Sequence, residues 1–289
     1  MKARPRLGHI TFINCLPLYY GLVKQDVLLD VDLVKAAPKD LAKMILGGEL
    51  DVAPIPVIEY ARHADDLVLM PDIAISSDGE VQSILLISKV PAEELAGKRV
   101  ALTNTSRTSQ VLARILIEKR WGASADYFEM PPDLPAMLRE ADAALLIGDD
   151  ALRAYWQPPE GLYAYDLGAE WKSWTGLPFV YAVWAVRRGF AEGQPEAVAQ
   201  VSDALSRSLG YCRAHLDDIS EYAARWEEFP AERFRSYFDA LQFRFEPRFR
   251  DGLRRYLEEA YAIGQLERVP ELRVFGEEAA QSGGAGGRH

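Results

Sequence analysis

The chain has 289 residues, 49% hydrophobic and 26% charged, an ordinary globular balance with room for two domains that each bury a core. Its formal charge is −10 and its basic residues occur at most in pairs such as Arg187-Arg188 and Arg254-Arg255, which excludes the concentrated positive face used to bind nucleic acid. Cys15 and Cys212 are the only cysteines and the four histidines stand apart at 9, 63, 215 and 289, so neither a metal nor a cofactor is expected.

At the start, the basic residues up to Arg6 run into Leu7-Gly8-His9-Ile10, too short an apolar core for an export signal. The longest apolar run, Leu177 to Val186, is about half of the roughly 20 residues that cross a bilayer. A cytoplasmic protein without a membrane partner is therefore expected. Short apolar segments at Leu7-Ile10, Val31-Ala36, Val52-Ile55, Leu67-Met70, Ile84-Ile87, Val100-Thr103, Ala143-Ile147 and Val180-Val186 read as strands. Between them lie helical patterns, among them Pro38-Leu46, Thr108-Trp121 and Leu134-Glu140, and from about 190 the chain is almost wholly helical, led by Glu196-Trp226. This alternation predicts an α/β fold with largely parallel sheets.

Asp40-Leu41-Ala42-Lys43-Met44-Ile45 leads to Asp51-Val52-Ala53, and Asp133-Leu134-Pro135-Ala136-Met137-Leu138 leads to Asp142-Ala143-Ala144. Both read helix, acidic turn, buried strand, which fits two related lobes or merely convergent patterning. The long strand-like segments Gln82-Val90 and Val180-Arg188 are placed to carry the chain between lobes. Lobe one is then 1–88 plus 188–275 and lobe two 89–187, a discontinuous two-lobed arrangement with a ligand cleft between. Residues 276–289, rich in glycine at the end, are expected to form a flexible tail.

An acidic protein that grips an anion needs local donors rather than a long-range field. The strand Val100-Thr103 runs into Asn104-Thr105-Ser106-Arg107-Thr108-Ser109 and then a helix with an apolar stripe, a turn that offers amides and hydroxyls to a carboxylate. Thr105 or Ser106 as a simple helix cap is the competing reading. Arg107 opposes the dipole of that helix and calls for an anion or an acidic side chain nearby. In the first lobe Asn14 stands at the mouth of the corresponding turn, as a cap or as a donor and acceptor for a ligand hydroxyl. Asp149 or Asp150, after Gly148, reads as a helix cap, and His9 and His63 as structural residues.

Taken together, Asn14-Cys15-Leu16-Pro17-Leu18-Tyr19, Asp51 to Tyr60, Gly79-Glu80-Val81-Gln82-Ser83, Thr105 to Ser109, Ile147-Gly148-Asp149 and Gly176 to Val180 resemble the dehydratases of menaquinone biosynthesis by the futalosine route. The resemblance runs through most of residues 7–265. It implies a periplasmic-binding-protein-like type II fold and a metal-independent lyase that eliminates water from chorismate to give 3-[(1-carboxyvinyl)oxy]benzoate. It also implies functional polar residues at Asn14 and Ser83, the second of which has no role by composition alone. Substrate contacts are expected from Thr105, Ser106, Arg107, Thr108, Ile55, Gly148 and Asp149. Ile55-Pro56 departs from the smaller or more polar residues expected after the preceding proline. Trp171, Trp174 and Phe179 either wall the cleft or sit in the core.

The expected partner is thus a small dicarboxylate, chorismate. Its C3–H is acidified through the ring alkene by the ring carboxylate, and loss of the C4 hydroxyl makes an aromatic ring, so the protein's task is chiefly to hold and orient. Two rivals share the fold: a solute-binding protein for an organic anion, and the sister enzyme that forms a dihydroxynaphthoate and is expected to use a distinct base such as histidine.

Overall fold

A computed structural model describes residues 4–24 and 31–277. Of the expected tail, residues 278–289 lie outside the described residues, while Glu277 is held by Arg250 at 2.7 Å. The strands are β1 (Arg6–Ile10), β2 (Asp32–Ala36), β3 (Val52–Pro56), β4 (Leu67–Ser77), β5 (Ile84–Ser88), β6 (Arg99–Thr103), β7 (Asp126–Met130), β8 (Ala143–Ile147), β9 (Tyr163–Asp166) and β10 (Phe179–Arg187). The helices of the sheet-forming region are α1 (Leu16–Lys24), α2 (Pro38–Leu46), α3 (Val57–Arg62), α4 (Arg107–Ile115), α5 (Leu134–Glu140), α6 (Gly148–Trp156) and α7 (Leu167–Thr175). The rest is helical: α8 (Arg188–Gly193), α9 (Pro195–Ala214), α10 (Leu216–Ala224), α11 (Ala231–Ala240) and α12 (Pro247–Ala262). The helical pattern read over Glu196-Trp226 divides at His215, which caps α9 and opens α10. Among the described residues no helix is long and apolar enough to cross a membrane.

Two five-stranded sheets form, in the orders β2-β1-β3-β10-β4 and β7-β6-β8-β5-β9. They are mixed rather than largely parallel: β10 runs antiparallel to β3 and β4, and β5 antiparallel to β8 and β9. The reason is topological. β1 and β3 deliver the chain to the cleft end of their sheet, whereas β5 and β10 each begin just after a crossing and must run away from the cleft. The segments expected to bridge the lobes therefore lie mostly inside single sheets, and the chain crosses at 78–83 and 176–178. Relative to the division at 88 and 188, β5 belongs to the second sheet and β10 to the first.

The strand orders repeat one another, with β1, β2, β3, β10 and β4 matched by β6, β7, β8, β5 and β9. The repeated acidic turn has the same task in both. Asp51 donates its amide to the Arg6 carbonyl at 2.9 Å and takes the Arg6 amide on its carboxylate at 3.0 Å; Asp142 does the same with Arg99 at 2.8 and 3.1 Å. Each aspartate thus ties the start of the last parallel strand to the start of the first.

Asp166, at the end of β9, holds the first crossing against α7. Its carboxylate caps α7 by accepting from the amides of Gly168 at 2.9 Å and Ala169 at 3.0 Å, and reaches across to those of Val81 at 3.1 Å and Gln82 at 2.6 Å. Burial pushes this carboxyl above its ordinary range although the amide bonds favour the charged form. The grip holds Gln82 at φ 61, a left-handed backbone that a non-glycine residue adopts only under constraint. Gly168 lets α7 sit close on the first crossing and on β10: a Cβ there would lie 2.5 Å from the Tyr181 hydroxyl, 2.9 Å from Ser77 Oγ and closer still to the Gly79 carbonyl. Gly168→Ala is expected to cost about 1–3 kcal/mol by overpacking. Urea unfolding measures it, and a variant as stable as the parent would show that α7 moves freely off the first crossing.

Candidate functional site

The cleft ends of the two sheets enclose a cavity of about 530 Å³, counting space open at its mouth. Phe12 and Asn14 enter after β1 and Pro56 at the end of β3, while Ser106 enters after β6 and Gly148 after β8. Tyr181 and Ala182 of β10 floor it, with Ser83 from the first crossing and Ser109 from the first turn of α4. Among the described residues lining it, Tyr181 carries the only titratable side chain. Its phenol is pushed well above its ordinary range by burial, and it hydrogen-bonds Ser77 Oγ at 2.9 Å. A second, larger groove lies elsewhere, lined by Arg188, Arg254 and the segment 269–277. It takes no residue from the second sheet, whereas strand C-termini and helix N-termini from both sheets converge on the first.

Asn14 sits in a short 3-10 turn, Ile13–Cys15, and does not cap a helix: Phe12 occupies the N-cap position and makes no side-chain cap bond. The Asn14 Oδ1 is buried without a protein partner. Ser83 is 5% exposed; its oxygen accepts from the Tyr237 hydroxyl at 3.0 Å. The Ser83 carbonyl takes the Gly148 amide at 2.8 Å, which stitches the crossing to the start of α6. Gly148 has φ 63, a conformation that favours glycine, and a Cβ there would meet the Phe12 ring at 3.6 Å.

The hydroxyl turn divides. Ser106 caps α4, accepting from the Ser109 amide at 3.3 Å, and its own hydroxyl reaches Ser109 Oγ at 3.0 Å; both serines line the cavity. Ser109 was not among the expected contacts, although its place three residues after the cap puts it beside Ser106 on the helix's first turn. Thr105 turns back to Thr103 Oγ1 at 2.8 Å. Arg107 finds the acidic side chain its position called for: it pairs with Glu129 and donates to Gln110 Oε1 at 3.2 Å. Thr108 is 1% exposed and accepts the Ile58 amide at 3.4 Å, joining α4 to α3 of the other lobe. None of these three lines the cavity: Thr105 precedes α4 and turns back to β6, and within the helix Arg107 and Thr108 project to other sides than Ser109.

Ile55 is fully buried within β3, and the cavity wall is its neighbour Pro56, as strand alternation requires. Asp149 also lies outside the cavity. It accepts the Ile13 amide across the lobes at 3.4 Å and lines a separate small cavity with Trp156 and Phe229; burial pushes its carboxyl up. Trp171 and Phe179 are core residues packed against Tyr256, and Trp171 donates to the Pro178 carbonyl at 3.2 Å. His9 packs edge-on against Tyr19 at 3.6 Å, and burial lowers its pKa to about 4. Neither His9 nor His63 lines the cavity.

A family model described as menaquinone biosynthesis matches residues 5–262. The chain belongs to this family. The chain is 32% identical over 267 residues to the chorismate dehydratase of Thermus thermophilus, covering 87% of this chain and 93% of that one. It is 28% identical over 179 residues to the chorismate dehydratase of Campylobacter jejuni, covering 61% and 64%. Among solved structures, a protein from Archaeoglobus fulgidus superposes with a TM-score of 0.76 at 22% identity, covering 91% of this chain and 98% of that one. The periplasmic aliphatic sulphonate binding protein of Escherichia coli superposes with a TM-score of 0.67 at 14% identity, covering 96% of each. The periplasmic-binding-protein-like fold expected from the sequence is therefore the fold of this family member.

Proposed function

We propose that the protein is a chorismate dehydratase, forming 3-[(1-carboxyvinyl)oxy]benzoate in menaquinone biosynthesis, and that it works in the cytoplasm. The observation that carries the reading is the cavity itself, in a member of this family. Its polar groups, Asn14, Ser83, Ser106, Ser109 and Tyr181, are all neutral hydrogen-bonding groups, disposed on both sides of an otherwise apolar slot. Such a lining suits a reaction whose driving force resides in the substrate.

Chorismate needs its carboxylates held and its C4 hydroxyl oriented. The capped start of α4, with Ser106 and Ser109, offers hydroxyls and a helix N-terminus to one carboxylate. Asn14 and Ser83 face the reacting ring. The substrate's own enolpyruvyl carboxylate accepts the C3 proton, the C4–O bond breaks, and the proton and hydroxide leave as water while the ring becomes aromatic. Water that the substrate displaces from the slot cannot compete for these hydrogen bonds. Thr108 and Asp149 contribute at one remove, by joining the lobes around the slot.

Incubation with chorismate is expected to produce the ultraviolet change of aromatisation, followed continuously and confirmed by mass loss of one water. Tight chorismate binding without product would instead favour an organic-anion binding protein. Turnover of a cyclic futalosine-type precursor would favour the sister enzyme, against the placement of His9 and His63 outside the slot.

A further inference from the structure

The Ser83 hydroxyl has two close protein neighbours. Its oxygen accepts from the Tyr237 hydroxyl at 3.0 Å, and its own proton reaches back to the Val81 carbonyl at 3.3 Å, long for an O–H donor. The Ser83 backbone is already engaged: its amide donates to the Val81 carbonyl at 2.7 Å and its carbonyl takes the Gly148 amide at 2.8 Å. A serine hydroxyl rotates freely and either donates or accepts. Beside the slot, the weakly held group is therefore the Ser83 O–H.

Tyr237 is placed to settle that choice. It is fully buried on α11, with its ring edge-on to Trp156 at 6.4 Å and beside Phe238 at 5.6 Å. The preceding residue, Ser236, accepts from Gln82 Nε2 at 3.5 Å, so adjacent residues of α11 bond adjacent residues of the crossing. Arg233 donates to the Trp156 carbonyl at 3.0 Å and docks the same helix on the end of α6. The phenol oxygen thus has a fixed position. Burial pushes its ionisation well above the ordinary range, so it keeps its proton throughout the physiological window.

We propose that Tyr237 is a positioning residue for the dehydration: a fixed donor that occupies the Ser83 oxygen and so turns the Ser83 O–H toward the departing C4 hydroxyl. The inference rests on the dehydratase reading of the slot. In the step it serves, the C3–H bond breaks and its proton passes to the substrate's enolpyruvyl carboxylate. The electron pair enters the ring and the C4–O bond breaks. The hydroxide that departs is stabilised by the hydrogen bond from Ser83 and takes up the proton removed from C3, leaving as water. Ser83 and Tyr237 end the turnover with the protons they began with, and no further reactant is needed.

The test is a kinetic double-mutant cycle on the full chain with chorismate, using Tyr237→Phe, Ser83→Ala and the double variant. Tyr237→Phe is expected to lower kcat about tenfold with KM changed less than about twofold, the effect of misdirecting one hydrogen bond in the transition state. In the Ser83→Ala background the same change is expected to have almost no effect, since its target is gone. Its melting midpoint is expected to stay within about 3 °C of the parent, because one oxygen is removed from a packed ring. Incorporation of 3-fluorotyrosine at position 237, which retains the donor, is expected to preserve kcat within about twofold and keeps the question answerable if the phenylalanine variant folds poorly. Equal losses in both backgrounds, or a loss confined to stability, overturn the positioning role while leaving the dehydratase reading intact. An unmodified protein that does not convert chorismate overturns both.

Discussion

Asn14→Ala is expected to lower kcat/KM for chorismate by about a hundredfold or more while leaving the protein as stable as before. The expectation comes from the place of its side chain. Asn14 Oδ1 lies on the cavity wall and has no protein hydrogen-bond partner, so its acceptor is available to a ligand. The residue caps no helix, since Phe12 holds that position, so its side chain has no local structural task. Removing it disarms the site at little cost to the fold. The measurements are steady-state kinetics and a thermal melt on the same preparation. A variant with parental kcat/KM, or one that melts several degrees lower with activity lost in proportion, assigns Asn14 to structure instead.

Asp51→Ala is expected to be among the most destabilising single substitutions away from the slot, at about 2–4 kcal/mol. Asp51 is 4% exposed and accepts from the Arg6 amide at 3.0 Å, from Arg6 Nε and NH2 at 3.0 and 2.7 Å, and from Arg187 NH2 at 2.7 Å. It joins β1, β3 and β10 at one end of the first sheet. Both arginines are more than a third exposed and turn to water when the carboxylate is lost, which keeps the figure below that of a wholly buried pair. The matching Asp142→Ala removes only the bond to the Arg99 amide and is expected to cost about 1 kcal/mol.

The pH dependence has a definite sign. Burial raises the Asp51 carboxyl, but hydrogen bonds from Arg6 and Arg187 outweigh it and bring its pKa from the ordinary 3.8 to about 2. The folded state therefore binds this proton less readily than the unfolded chain, so the contribution is present in full above pH 3.8 and is lost as the pH falls toward 2. The stability gap between parent and Asp51→Ala, from urea unfolding, should shrink between pH 7 and the acid limit. A gap that does not change with pH would show that the carboxylate's charge is irrelevant to its role.

How far the sequence carried depended on the range of the interactions involved. Strand positions such as Val52, Leu102 and Leu145 were legible because burial on both faces produces continuous apolar runs. The strands β7 and β9 were not, since both are edge strands with no fully buried residue and no such run. The repeat of helix, acidic turn and strand was visible as a short likeness, and only the pairings of Asp51 with Arg6 and Asp142 with Arg99 show what the aspartates do. The hydroxyl turn was found from its composition, but its members were not separable there. Which of 105 to 109 faces the slot depends on the rotation of α4 against the sheets, and that placed Ser106 and Ser109 inside and Thr105, Arg107 and Thr108 outside.

The amino-acid sequence by itself determined the two-lobed α/β class and the family, because local hydrophobic pattern and motif identity are properties of neighbouring residues. The tertiary structure decided the direction of β5 and β10, the first crossing held against Asp166 and Gly168, and the bond from Tyr237 to Ser83. Ser83 and Tyr237 are 154 positions apart in the chain. No local pattern reports such a contact, since it exists only once the C-terminal helices have packed across the lobes.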